Sequence, residues 1–475
     1  MNACCSPFFH WTCTFALLLV VSLTGCHRTL MRQPIMFDQT LADPFDELPA
    51  DQRHGRTTVF YATNRQATPG DSEGPYGRSR AAALTLGQLN VEIGDDIPWD
   101  ELVEKTVGPL GTRRPPLRFD EPAEFGPLLT TAPPRIVRAV TGDAREDIEV
   151  RFLNRHDPGR GPMRFAQAVN DEMAATNHDE IYVYVHGYRN SFNDAIESAA
   201  SLHHYNGRRG VVIAFAWPSQ KHLLDYLEDR ESATFAVSDL RQFLVFLADH
   251  TDARRINIIA HSMGTFLTAN TLREMRLIGF NKTPEELKDR FRLDNVVLVA
   301  PDIDADVFGK RFFREGFHHV PRRLTVYNSP NDQALAWASR LLFNSARAGS
   351  ITGSSLEEHE RLWLKAHPNV ALIDITGQKT YGLGHSHHTE NPGVASDLLL
   401  LLAHRLSPAE RGLTQNAETG VWRFPGGYDK AVQQIAERYY PLIDHETTQS
   451  EVTKKKISPP PPPASPSPAK ATATP

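Results

Sequence analysis

Short apolar runs rich in β-branched residues alternate with helical patterns through the middle of the chain. The predicted strands are Thr57–Tyr61, a weaker one near Leu84–Ile93, Ile148–Leu153, Ile181–Val185, Val211–Phe215, Ile256–Ala260, Val296–Ala300, Leu324–Tyr327 and Val370–Ile375. The predicted helices cover 163–176, 192–204, 228–250, 263–278, 333–347 and 392–406. Continuous apolar strands separated by helices predict an α/β fold, with a mostly parallel, doubly wound sheet and helices on both faces. In such sheets ligands bind beyond the carboxyl ends of the strands, so the residues after each run are the candidates for chemistry.

A serine follows one of these strands directly. Ile256–Ala260 leads into His261, Ser262, Met263 and Gly264, and then into a helical pattern. A nucleophile elbow needs very small residues two before and two after its serine, and Ala260 and Gly264 occupy those places. We therefore predict Ser262 as the nucleophile and the backbone N–H of Met263 as an oxyanion donor. The alternative is that Ser262 only caps the helix.

A glycine follows the strand Ile181–Val185. The next residues are His186, Gly187 and Tyr188, and a glycine there lets the backbone approach a substrate closely. We predict that Gly187 and Tyr188 contribute to the oxyanion hole. The alternative is an ordinary glycine turn.

An acid and a base follow later strands. Asp332 comes after Leu324–Tyr327, and His385 comes after Val370–Ile375. Serine, aspartate, histidine is the chain order of an α/β-hydrolase triad, in which histidine takes the serine proton and aspartate orients the histidine. Asp302, after Val296–Ala300, is the alternative acid.

Three histidines compete for the role of base. His387 is the alternative to His385, but His387 and His388 lie nearer the last helix, where we expect them to face solvent or the helix terminus. The three together do not have the spacing of a known metal-binding motif, so we expect neither a metal nor another cofactor.

The acidic run after Val296–Ala300 has two further interpretations. It resembles a phosphatase aspartate box, but Asp306 stands where Thr or Val is needed. It also resembles the start of a calcium loop, but Val307 replaces the required Gly and Phe313 the required Glu. We favour neither.

Charge and cysteine placement bear on location. The net charge is −6 and no dense basic stripe is present, so we expect no nucleic-acid partner. The apolar stretch Phe15–Leu23 has the length of a signal peptide, and it leads into Leu23-Thr24-Gly25-Cys26, which resembles a bacterial lipoprotein box although no Lys or Arg precedes it. We predict lipidation of Cys26 and a membrane-anchored protein of the cell envelope. The alternatives are a secreted or periplasmic protein, an uncleaved anchor, or a misassigned start.

The chain divides into five predicted segments. These are a signal peptide at 1–25, a tether at 26–55, a hydrolase domain at 56–406 with a Pro/Arg-rich insertion around 95–145, a helical extension at 407–448 and a disordered Pro-rich tail at 449–475.

Several motifs occur together in one order. They are Tyr61–Arg65, Val185–Phe192, Phe215–Ser219, Ala260–Gly264, Ala300–Asp304 and Gly384–Ser386. Over about residues 55–406 the chain resembles a bacterial α/β-hydrolase family, esterase- or lipase-like and of largely unknown function. The resemblance implies that fold and a nucleophile at Ser262, and less directly an acid at Asp332 and a base at His385.

These observations predict a serine hydrolase that cleaves carboxylic esters through an acyl-enzyme. Its substrate would be a small-molecule or lipid ester. The alternatives are an acyltransferase or peptidase with the same triad, because a fold does not choose the acceptor, or a catalytically silent envelope scaffold.

Overall fold

A computed structural model gives the structure of the chain. It describes residues 28–40, 42–70, 74–111, 113–130, 159–222, 225–329, 348–350, 353, 355–378 and 387–441. The predicted signal peptide, the strand Ile148–Leu153, the helix 333–347 and the Pro-rich tail lie outside these residues. The predicted triad residues Asp332 and His385 lie outside them too.

One mixed sheet of twelve strands organises the described residues. Its strands are β1 (Arg56–Ala67), β2 (Tyr76–Ile93), β3 (Leu117–Phe119), β4 (Ala123–Thr130), β5 (Glu180–Val185), β6 (Val211–Ala216), β7 (Arg255–His261), β8 (Leu293–Val299), β9 (Arg323–Asn328), β10 (Val370–Asp374), β11 (Thr414–Gln415) and β12 (Trp422–Arg423). Their order is β11-β12-β10-β9-β8-β7-β5-β6-β1-β2-β3, and β4 also pairs with β2. The strands from β12 to β1 in this order are parallel, whereas the edge pairings are antiparallel.

Helices cover both faces of the sheet. They are α1 (Trp99–Val107), α2 (Arg160–Thr176), α3 (Phe192–Tyr205), α4 (Tyr226–Phe235), α5 (Val237–His250), α6 (Met263–Ile278), α7 (Pro284–Phe291), α8 (Glu358–Ala366), α9 (His387–Glu390), α10 (Pro392–His404) and α11 (Tyr428–Tyr439). The helix predicted over 228–250 is two helices, α4 and α5, which meet at Ala236. None of the helices in the described part of the chain has the length and apolar character needed to cross a membrane.

The core has two layers because alternate residues of each central strand point to opposite faces. In β5, Val183 and Val185 belong to the layer under α2, α5 and α6, whereas Tyr182 and Tyr184 belong to the layer under α3 and α10. All six residues of β5 are buried. Burial on both faces explains why the sequence of this strand is continuously apolar rather than alternating.

The segment predicted as a tether is packed against the domain. Leu30, Met36 and Phe37 are fully buried in the layer with α10 and α11, and the Met36 N–H donates to the Ser396 hydroxyl at 3.0 Å. The prediction of a tether was therefore wrong for the residues from Arg28 onward. The sequence concealed this because an irregular segment that fills a groove has no periodic pattern.

The insertion around 95–145 and the C-terminal extension both form helices and strands in their described residues. In the insertion, α1, β3 and β4 cover and extend the β2 edge. The C-terminal extension is only partly helical, because the β11–β12 hairpin joins the sheet beside β10 before α11 begins. Buried Arg411 donates to both carboxylate oxygens of buried Asp397 in α10, which fixes this extension to the last helix of the hydrolase domain.

Candidate active site

Ser262 stands at a sharp turn between β7 and α6. Its backbone has φ 52° and ψ −123°, a region that non-glycine residues rarely adopt. The turn is held because the Ser262 N–H donates to Val299 O at 2.9 Å, and Thr265 N–H to Ser262 O at 2.9 Å. The Ser262 side chain does not cap the helix that it precedes. The geometry is that of a nucleophile elbow rather than of a simple N-cap.

The small residue after the serine is required by close packing. A Cβ at Gly264 would lie 2.4 Å from His186 O and 2.6 Å from Val185 O. Any larger residue would push α6 away from the end of β5. This explains why the elbow pattern requires a very small residue at position 264.

The loop after β5 runs directly against Ser262. A Cβ at Gly187 would lie 2.9 Å from the Ser262 Cβ and 2.8 Å from His261 Nδ1, so only glycine fits here without a shift. Met263 is the first residue of α6, and no carbonyl inside the helix accepts its N–H. Gly187 and Ser262 therefore lie against each other at the carboxyl ends of β5 and β7, and Tyr188 and Met263 are the residues that follow them in the chain. A backbone N–H at a helix N-terminus favours negative charge, which suits an oxyanion.

Buried polar groups hold one side of this loop. Arg65, 1% exposed, donates from Nη2 to Asn190 O at 2.7 Å and from Nη1 to Gly77 O at 3.0 Å. His186 stacks on Trp217, whose indole N–H donates to His186 O at 2.8 Å. Burial and the nearby Arg65 lower the pKa of His186 to about 3, so this imidazole is neutral at ordinary pH and acts as a fixed part of the loop.

A carboxylate holds the other side of the loop. The Arg189 N–H donates to Ser219 Oγ at 2.6 Å, and the Ser219 hydroxyl donates to Asp229 Oδ2 at 2.5 Å. Arg189 has φ 64°, so its backbone needs such support. Asp229 also accepts the Gln220 N–H at 2.6 Å. Neither Arg65 nor Asp229 was predicted as a site residue from the sequence, although the motifs Tyr61–Arg65 and Phe215–Ser219 contain Arg65 and Ser219.

Asp302, the alternative acid, lies beyond the end of β8, the strand next to β7. It is 2% exposed and accepts the Tyr226 hydroxyl at 2.5 Å. Arg230 donates to the Asp302 carbonyl at 2.9 Å and lies over the Phe266 ring, 3.4 Å from its centroid. Asp302 thus takes part in an ordered group of side chains at this edge of the sheet. Asp304 accepts the Val307 N–H at 3.0 Å and so caps a short helical turn, Ala305–Val307.

His388 is buried and does not face solvent, one of the two positions expected for it. It is 1% exposed, its Nε2 lies 3.0 Å from the Tyr184 hydroxyl, and its ring centroid lies 4.6 Å from that of His261. The short helix α9 turns it inward, which the local cap signals do not reveal. His387 begins α9.

Two aromatic residues of the Val185–Phe192 and Phe215–Ser219 motifs are core residues. Trp217 and Phe192 are fully buried in opposite layers, whereas Tyr188 is half-buried and packs edge-on against Tyr226 with centroids 5.7 Å apart. Of these three, only Tyr188 is partly exposed. Among the described residues, no group of three or more His, Cys, Asp or Glu is arranged to hold a metal ion.

The sheet and the elbow define an α/β hydrolase. The chain belongs to the family described as "Alpha/beta hydrolase of unknown function (DUF900)", whose model matches residues 162–405, just over half of the chain. The match includes Gly187, Ser262 and both candidate acids. It ends at Arg405, the residue directly after α10, so the packed N-terminal segment and the C-terminal extension lie outside it.

Individual relatives are distant. The chain is 25% identical over 190 residues to "Uncharacterized protein alr1448" of Nostoc sp., which covers 32% of this chain and 50% of that protein, so the chain spans about half the length of this curated relative. Among solved structures, an inhibited esterase B from Lactobacillus rhamnosis is 14% identical, with 35% of this chain and 61% of that chain covered and a TM-score of 0.23. A thermostable esterase from Pseudomonas putida is 10% identical, with 56% and 75% covered and a TM-score of 0.21.

Proposed function

We propose that this protein is a serine hydrolase of carboxylic esters. The observation that carries the proposal is the strained turn at Ser262, against which Gly187 packs so closely that no side chain fits between them. Strain of this kind costs on the order of 1–3 kcal/mol and is typical of sites where it serves the chemistry. Two backbone segments then converge on one serine.

In the proposed mechanism Ser262 Oγ attacks the ester carbonyl carbon while His385 accepts its proton and Asp332 orients that histidine. The tetrahedral oxyanion receives hydrogen bonds from the backbone N–H groups of Met263 and of the Gly187–Tyr188 segment. Collapse of this intermediate expels the alcohol, which takes the proton from His385. Water then attacks the acyl-enzyme by the same route and releases the acid. The assignment of Asp332 as the acid and His385 as the base is supported by the order of these residues in the chain.

We also propose that Cys26 is the lipidated first residue of the mature protein. Small residues precede the thiol, and a short apolar segment precedes them. The anchor would hold the enzyme at a membrane of the cell envelope. Mass spectrometry of the N-terminal peptide, in the natural chain and in Cys26→Ser, tests this directly.

A fluorophosphonate probe tests the nucleophile. We expect covalent labelling that maps to Ser262, loss of labelling in Ser262→Ala, and unchanged labelling in Ser407→Ala, an exposed serine beyond α10. Release of p-nitrophenol from a short-chain ester should follow the same pattern. No labelling and no ester cleavage by the natural chain would refute the enzyme and favour the silent scaffold. Preferential transfer of the acyl group to added alcohols or amines would instead identify an acyltransferase.

A further inference from the structure

A fully buried carboxylate lies beside the candidate site and has no part in the proposed triad. Asp229, in the first turn of α4, is 0% exposed. Its Oδ1 accepts the Gln220 N–H at 2.6 Å, and its Oδ2 accepts the Ser219 hydroxyl at 2.5 Å. The short hydrogen bonds to this carboxylate therefore come from a peptide N–H and a hydroxyl, which carry no charge.

The charge of Asp229 is kept at this position at a cost to folding. Loss of water on burial is the largest influence on its carboxyl group and raises its pKa, although the hydrogen bonds that it accepts and the charge of Arg65 act in the opposite direction. A raised pKa means that the folded environment disfavours the charged form. An apolar side chain often serves stability as well as a buried charge or better. A buried charge with this balance is typical of a functional site.

Asp229 holds two loops together. The loop after β6 supplies Ser219, and the loop after β5 supplies Arg189, whose N–H donates to Ser219 Oγ at 2.6 Å and lies 3.4 Å from Asp229 Oδ2. An ionised carboxylate only accepts hydrogen bonds, so it directs the single hydroxyl proton of Ser219 toward itself and leaves Ser219 Oγ as an acceptor. The hydrogen bonds therefore run in one direction, from Arg189 through Ser219 to Asp229.

This chain of hydrogen bonds fixes one end of the Gly187–Tyr188 segment. The peptide group before Arg189 is held through its N–H, and at the other end of the segment His186 O accepts the Trp217 indole N–H at 2.8 Å. Between these two fixed points the segment packs directly against Ser262. Catalytic groups need such precision, because a misplacement of about 1 Å can cost on the order of 10²-fold in rate.

We propose that Asp229 is a positioning residue for the oxyanion hole, and that it acts through Ser219 and the Arg189 N–H on the Gly187–Tyr188 segment. The inference rests on the proposed function, since an oxyanion forms only if Ser262 attacks an ester carbonyl. It goes beyond that function because it assigns a role in catalysis to a residue outside the triad and outside the sequence motifs. The oxyanion exists only in the tetrahedral intermediate and its flanking transition states, so Asp229 acts on kcat rather than on substrate binding.

The helix α4 is also held by contacts that do not involve Asp229. The Tyr226 hydroxyl donates to Asp302 Oδ2 at 2.5 Å, and Arg230 Nη1 donates to Asp302 O at 2.9 Å. The helix should therefore stay in place when the Asp229 carboxylate is changed, and the variant should fold. A loss of activity can then be assigned to the loop rather than to the helix.

The experiment compares Asp229→Asn with the natural chain. An amide keeps the size of the carboxylate but replaces one acceptor oxygen by an NH2 donor, so the hydrogen bond from Gln220 or the one from Ser219 is lost. We expect kcat for p-nitrophenyl butyrate to fall by about 10²-fold, the loss typical of one oxyanion donor, while KM changes much less. A trifluoromethyl ketone, whose carbonyl carbon bonds to Ser262 Oγ to give a tetrahedral oxyanion, should bind more weakly by a similar factor.

A matched control alters another buried carboxylate. Asp294 is 1% exposed at the amino end of β8, where it accepts a hydrogen bond from Arg405 Nη2 at 3.0 Å. Asp294→Asn should lower the midpoint of thermal unfolding but leave kcat and the affinity for the ketone unchanged, because this end of the sheet is opposite to the end that carries Ser262.

A second variant removes the middle of the chain of hydrogen bonds. Ser219→Ala should lower kcat less than Asp229→Asn does, because the Arg189 N–H already lies 3.4 Å from Asp229 Oδ2 and can donate to it directly. The double variant should lose little more than Asp229→Asn alone, because both changes act on the same contact.

Unchanged kcat in Asp229→Asn, a rise in KM alone, or unchanged binding of the ketone would overturn the role of Asp229. An equal loss of kcat in Asp294→Asn would overturn it too, since lower stability would then explain both losses. If Asp229→Asn does not fold, Ser219→Ala decides: a joint loss of kcat and ketone affinity supports the role, and unchanged values overturn it. All these results leave ester cleavage by the natural chain intact. Absence of that cleavage and of Ser262 labelling in the natural chain would refute the proposed function, and the inference with it.

Discussion

At the scale of single residues, the strain at Ser262 makes the clearest prediction. Alanine has no hydroxyl to attack a carbonyl, so Ser262→Ala should lower kcat on the order of 10⁴-fold or more. Folding should remain intact, because the backbone hydrogen bonds of the turn do not involve the hydroxyl. Steady-state kinetics and a thermal unfolding scan check this. Substantial esterase activity in the variant would contradict the mechanism.

The choice of acid is also a single-residue question. We expect Asp332→Asn to lower kcat at least about tenfold more than Asp302→Asn. Asp302 accepts a hydrogen bond from the Tyr226 hydroxyl, and an amide oxygen can also accept it. Replacement of Asp302 should therefore chiefly alter packing around Tyr226. The two variants are compared in one kinetic series. The reverse order would move the acid to the end of β8.

The histidines should separate by their effects on activity and on stability. We expect His385→Ala to abolish turnover and His387→Ala to cost less than about tenfold. His388→Ala should lower the midpoint of thermal unfolding more than either, because it removes a buried ring and the partner of the Tyr184 hydroxyl. Kinetics and thermal scans of the three variants decide this. An inactive His387→Ala beside an active His385→Ala would shift the base by two residues.

At the scale of elements, the loop between β5 and α3 matters because Arg65 and Asp229 hold it from two sides. Gly187→Ala places a methyl group within 3 Å of the Ser262 Cβ, so the loop must shift. We expect kcat to fall by about 10²-fold, as when one oxyanion donor is lost, with a smaller change in KM. Gly309→Ala is the matched control, because a Cβ there meets nothing within 4 Å. Equal activity in both variants would contradict a catalytic role for the loop.

At the scale of the whole molecule, buried histidines make stability depend on pH. His318 is 2% exposed, and burial, followed by neighbouring His319, His367 and Arg276, lowers its pKa to about 3. Below pH 6.5 the unfolded chain binds a proton there that the folded chain does not, so folding stability falls as pH falls from about 6.5 toward 3. At pH 5 this one group lowers the free energy of unfolding by about 2 kcal/mol.

The variant His318→Phe tests this dependence. A phenyl ring keeps the contacts with Phe313 and Trp363 but does not bind a proton. We expect the free energy of unfolding to fall less between pH 7 and pH 5 in the variant than in the natural chain, measured by urea denaturation at each pH. Parallel pH curves would show that His318 does not titrate on unfolding in this range.

Local sequence determined the central sheet and the sharp turn at Ser262. Buried parallel strands such as β5, β6 and β7 need continuous apolar runs, and an elbow needs small residues around its serine. Both features can therefore be recognised within a short stretch of sequence. The family match confirms the α/β-hydrolase fold. The roles of Asp332 and His385 stay predictions, because chain order alone supports them.

Only the tertiary structure decided which irregular segments pack and which polar residues meet. Leu30 and Phe37 fill a groove beside α10 and α11, His388 turns inward onto Tyr184, and Arg65 reaches Asn190 across 125 positions. These contacts join residues far apart in the chain and have no period to detect. The sequence by itself therefore determined what repeats or lies close along the chain, namely strands, helices and the elbow. The position of the N-terminal segment beside α10 and α11 came from packing, because burial of its apolar side chains depends on surfaces that form only when the sheet and its helices have assembled.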